Sequence, residues 1–124
     1  MKKFAAIAAL AGLFALIISA VYAVPSRGAG GNYLYWGTTP VKTASLNVCY
    51  DFANDAMRNQ NFNNIRRSGS EVTGSRGGAY AAITCVGTAP RATAVVMVVG
   101  GDANETARAR DDLRSNVARI IRFD

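Results

Sequence analysis

Two cysteines, two carboxylates one helical turn apart, a glycine-rich loop and eleven arginines are the residues of this 124-residue chain that could do chemistry. The chain has no histidine. Ser-His-Asp and Cys-His machinery is therefore excluded, as is nearly every zinc site. A lone reactive cysteine would need a base to form thiolate, and no histidine supplies one. Cys49 and Cys85 read instead as a disulfide, closing a loop of roughly 36 residues, for which chain entropy gives about 3–4 kcal/mol. Asp51 and Asp55 have the spacing for shared acid and base roles. Carboxylates near a helix start more often compensate the helix dipole, and that reading is preferred. No residue pattern calls for a metal or cofactor, and the chain reads as non-enzymatic.

The stretch "VTGSRGGAYAAITC", residues 72–85, resembles a phosphate cradle at first glance. A P-loop ends in Gly-Lys-Ser/Thr and runs into a helix. Here the glycines run into "AYAAITCV", which alternates as a strand. Ser75-Arg76-Gly77-Gly78 is therefore predicted to be a hairpin connection, with Arg76 solvated at its tip. The arginines Arg66, Arg67, Arg76, Arg119 and Arg122 are the candidates for anion contact. Nothing in their spacing requires that they converge, so anion binding is the alternative function.

The elements that position these residues follow from periodicity. "MKKFAAIAALAGLFALIISAVYA" has two lysines, an apolar run and small residues at 21 and 23. That is the layout of a secretory signal over residues 1–23, with cleavage after Ala23. The run from Phe4 to Val24 is also long enough to span a bilayer, the membrane-anchor alternative if it is not cleaved. Either way the domain is exported, to the periplasm or the medium. Residues 24–41, rich in Gly and Pro, read as an irregular N-terminal arm in which Tyr33, Tyr35 and Trp36 fold back on the core or meet a partner.

Residues 42–124 read as one disulfide-stapled domain. "KTASLNV" is expected as a strand with Leu46 and Val48 on one face. A helix follows over 49–59, because Cys49, Phe52, Ala53, Ala56 and Met57 share a face. Short strands are expected over 62–68 and 70–75, a firmer one over 79–86, and a buried strand over the apolar run 92–99. Asp102 and Glu105 have the spacing of a capping box ahead of a last helix. Ala109, Leu113, Val117 and Ile120 form its inward stripe, with Arg108–Asp112 and Asp111–Arg114 as helical ion pairs. The order is β-α-β-β-β-β-α, an α+β fold with an antiparallel meandering sheet of four to five strands and two helices on one face.

The pattern Cys49-x3-Ala53-x2-Ala56-Met57, Phe62, Gly78-x2-Ala81-x-Ile83-x-Cys85 and "VVMVVGGD" resembles a group of small exported bacterial domains with a C-x3-A-x2-A-[LM] helix and an A-x-I-x-C strand. The resemblance covers about residues 46–102 and implies fold and export, with no activity attached. A formal net charge of +6 admits anionic partners. Export and the lack of aromatics interleaved with the arginines speak against nucleic acid. The expected role is contact with an unidentified protein or envelope component.

Overall fold

The structure, a computed structural model, describes residues 32–121, so the predicted signal segment and Arg122 lie outside the described residues. The elements run β1 (Tyr33–Pro40), α1 (Leu46–Asn59), β2 (Asn63–Arg67), β3 (Val72–Arg76), β4 (Ala79–Val86), β5 (Thr93–Gly100) and α2 (Ala103–Arg119). The five strands form one open antiparallel sheet in the order β1-β5-β4-β3-β2. The expected α+β order β-α-β-β-β-β-α holds, but its first strand is a different segment.

That strand is Tyr33–Pro40, inside the stretch expected to be irregular, while the expected strand over 42–48 supplies the start of α1. The physical reason is legible afterwards. Tyr33 and Tyr35 point inward, Leu34 and Trp36 outward, so the alternation of burial has no matching alternation of polarity. Gly37 and Pro40 look like breakers, yet among the described strands β1 is an edge strand that pairs only with β5. A proline whose missing N–H faces the free edge costs the ladder nothing there. Further along, Leu46 and Val48 are compatible with either period, and Ser45 decides: its side chain accepts from Val48 N at 3.2 Å and caps the helix.

Helix α1 stops in a Schellman motif. Phe62 N donates to Met57 O at 2.9 Å and Asn61 N to Arg58 O at 3.0 Å, with Asn61 left-handed at φ 63°. Helix α2 starts on Asp102, whose carboxylate accepts from Glu105 N at 2.8 Å. Both helices bury an apolar stripe: Cys49, Phe52, Ala53, Ala56 and Met57 on α1, Ala109, Leu113 and Val117 on α2. These pack on the inward residues Ala79, Ala81, Ile83 and Cys85 of β4 and Ala94, Val96 and Val98 of β5. Tyr50 joins them. Its hydroxyl donates to Ser70 O at 2.9 Å and accepts from Cys85 N at 3.1 Å, a buried amide that β3 does not extend far enough to reach.

Candidate functional site

Cys49 on α1 and Cys85 on β4 are bonded, with Cα atoms 6.2 Å apart, so the pairing expected from the sequence is present. Both are buried, and the bond joins helix to sheet inside the core rather than at a surface. Among the described residues no group of three or more His, Cys, Asp or Glu side chains is placed to hold a metal. Asp51 meets Arg67, and Asp55 lies 3.7 Å from Arg58.

The glycine-rich turn has an anion, and the chain provides it. Gly77 takes φ +58° at the first central position of the hairpin between β3 and β4, where L side chains are strained. The carboxylate of Glu105 sits beside it: Gly78 N donates to Glu105 Oε2 at 3.4 Å, and a Cβ on Gly77 would lie 2.1 Å from that oxygen. Glu105 thus turns from the reciprocal arm of the expected capping box to the turn.

Arg76 corrects an expectation. The sequence places it solvated at the hairpin tip; in the structure it points inward between the two helices. Its guanidinium donates to Gln60 O, the C-cap of α1, and to Asp112 on α2, each at 3.0 Å, and lies 4.9 Å from the centre of the Phe62 ring. The helix pair Arg108–Asp112 gives way to Arg76–Asp112, because Asp112 faces the sheet. Asp111 meets Arg110 in place of Arg114. Arg76→Ala is expected to cost about 2 kcal/mol in chemical unfolding, since two charge-assisted hydrogen bonds and a ring contact go together. Arg76→Lys should lose less than the Ala variant.

Arg110 and Arg114 do something that spacing did not reveal. Arg110 Nη1 donates to Trp36 O at 2.6 Å and Arg114 Nε to Thr38 O at 3.0 Å, so both cap carbonyls on the free edge of β1. Their stems cross the strand where Gly37 has no side chain; a Cβ there would lie 2.7 Å from Arg114 Cδ. Charged groups over an exposed edge prevent another strand from adding to it. The opposite edge, β2, is short and bulged between Asn63 and Arg66, with Asn64 at φ 55°. Both edges are closed to strand addition.

The remaining anion candidates do not gather. Arg67 is held by Asp51 and by Asn47 O, and Arg119 meets Ser115 at the far end of α2. Arg66 and Arg67 border a hollow of about 350 Å³ that also contains Glu71.

Among the described residues the fold leaves open the sheet face opposite the helices, so the run 92–99, expected to be a buried strand, is buried on one face only. Leu34 and Trp36 of β1, Tyr80 and Val86 of β4, and Met97 and Val99 of β5 are exposed, Leu34 and Trp36 to 61% and Met97 to 45%. The register aligns them in rows: Leu34, Val99, Tyr80 and Ser75 across four strands, then Trp36, Met97, Ala82 and Thr73. The twelve outward positions of β1, β4 and β5 contain no charged residue. Lone exposed apolar side chains are ordinary; a contiguous, charge-free sheet face is a mark of an interaction surface.

Fold and surface together define a disulfide-stapled, open-faced α+β domain. Comparison with family models, curated proteins and solved structures finds no match to this chain.

Proposed function

We propose that this chain is a non-enzymatic exported domain that works by contact, presenting the open face of its sheet to a protein or envelope component. The observation that carries this reading is the uncharged, exposed apolar face bounded by two protected edges. The internal engagement of Arg67 and Arg76 favours contact over the alternative of anion binding. The N-terminal sequence and the disulfide support export, since such bonds persist in oxidising compartments. Among the described residues no helix is long and apolar enough to cross a membrane.

The test uses a photocrosslinker in the living cell. Placed at position 99 on the open face, it is expected to give adducts; placed at position 108 on the exposed side of α2, it is expected to give none. Equal labelling at both positions would overturn the assignment of the face. The intact mass of the exported chain is expected to begin at Val24. A mass retaining residues 1–23, with release only by detergent, would replace secretion by anchoring.

A further inference from the structure

We infer that the occupant of the open face is a second copy of this chain, docked sheet on sheet about a two-fold axis, given that this face is the contact surface. The relief of the face carries the inference. Across β1, β5, β4 and β3 one row reads Trp36, Met97, Ala82, Thr73: two large side chains, then two small. A two-fold axis along the strands, between β5 and β4, lays this row on its own reverse. Trp36 then lies over the partner's hollow lined by Arg66, Glu71 and the buried Thr73, and Met97 meets the partner's Ala82. The neighbouring row, Thr38, Val95 and Thr84, sets Val95 over the partner's Thr84. Large faces small at Met97–Ala82, Val95–Thr84 and Leu34–Ser75, as an isologous interface favours in a single patch, while Val99 and Tyr80 meet as two apolar side chains.

Charge points the same way. Without residues 1–23 the chain still has 12 Lys and Arg against 8 Asp and Glu, a charge of +4, so two copies repel wherever their charges meet. They dock most readily through a patch that has none, and the twelve outward positions of β1, β4 and β5 are such a patch. Arg66, next in the row after Thr73, falls at the rim beside the partner's Trp36, where an arginine on an indole face is favourable. Three strands of eight residues and one of five present roughly 470 Å² in plan per copy, and side-chain relief adds to it. Two such faces reach the range of about 1,200–2,000 Å² typical of stable interfaces. The two sheets would pack about 10 Å apart with strands aligned to within about 30°, helices outward on both sides. Because both edges are closed, the assembly stops at two and does not extend into a ribbon.

The experiment is sedimentation of the intact exported protein at high micromolar concentration. The wild type is expected to run at the mass of two chains. Met97→Arg sets a charge near the axis and is expected to run as one chain, weakening association at least ~100-fold, with circular dichroism and thermal midpoint unchanged. Ala82→Met, which sets large against large, is expected to weaken association too, and Met97→Ala combined with Ala82→Met to restore it. A wild type that runs as one chain overturns the second copy. If adducts at position 99 then persist in cells and disappear with Met97→Arg, the contact reading survives with a foreign protein as occupant. Sedimentation of that single chain with anionic lipid vesicles would make the occupant a bilayer. If position 99 gives no adducts and the protein is a single chain, both readings fall.

Discussion

Replacing Cys49 and Cys85 together with Ala is expected to lower the unfolding free energy by about 3–4 kcal/mol, the value chain entropy assigns to a loop of this length. The bond spans 36 residues, a segment that holds most of α1, all of β2 and β3, and β4 nearly to its end. Without it the unfolded chain regains the freedom to separate helix from strand, while the folded chain keeps most of its packing. Two buried methyl groups replace two buried sulfurs, so a small cavity adds to the loss. Each single variant should fare no better, since it leaves one buried thiol that can misoxidise. Urea unfolding of oxidised wild type and double variant measures the difference. For a domain of this size such a loss is a large part of a typical total of about 5–15 kcal/mol. A change below 1 kcal/mol would mean that the unfolded chain keeps helix and strand together without the bond.

Gly100→Val is expected to cost at least 3 kcal/mol, at the upper end of what overpacking does (about 1–3 kcal/mol). Gly100 ends β5 beneath the first turn of α2. Even one added carbon would lie 2.5 Å from Thr106 Oγ1, 3.0 Å from Gly78 O and 3.3 Å from Ala79 Cα. Two of these neighbours are backbone, and the third is a buried threonine whose hydroxyl donates to Asp102 O at 2.6 Å. None is the free end of a flexible side chain. The helix must lift, and with it the stripe of Ala109 and Leu113 leaves the sheet. Gly69→Ala, with nothing within 4 Å of the added carbon, is the control and should change stability by no more than about 0.5 kcal/mol.

The contrast between these two glycines shows where a linear reading stops. In sequence both look like breakers between elements. What separates them is a threonine on the next helix and a carbonyl more than twenty residues upstream, and no local window contains both. Arg76 follows the same logic. Its place beside Gly77 suggested a solvated tip, but its side chain sits on the helix face of the sheet, where Gln60 O and Asp112 wait for it. Tyr50, next to Cys49, lies off the apolar stripe, so periodicity does not mark it; adjacency to a core cysteine is its one signal in the sequence.

The sequence by itself determined the elements marked by alternating polarity at the backbone period or by an uninterrupted apolar run. Strand β4, strand β5, the stripe of α2 and most of α1 were legible, and so was the Cys49–Cys85 pair, because both cysteines stand on inward positions of confidently periodic elements. Only the tertiary structure decided β1, whose two faces are both apolar and which becomes a strand by pairing with β5. Only it decided that Arg110 and Arg114 cap a strand edge and that Glu105 fills the glycine turn. It also decided that the face carrying Leu34, Trp36, Tyr80, Met97 and Val99 is exposed among the described residues. Periodicity reports which residues share a face. Which face receives the helices depends on the order in which strands from distant parts of the chain come to lie side by side.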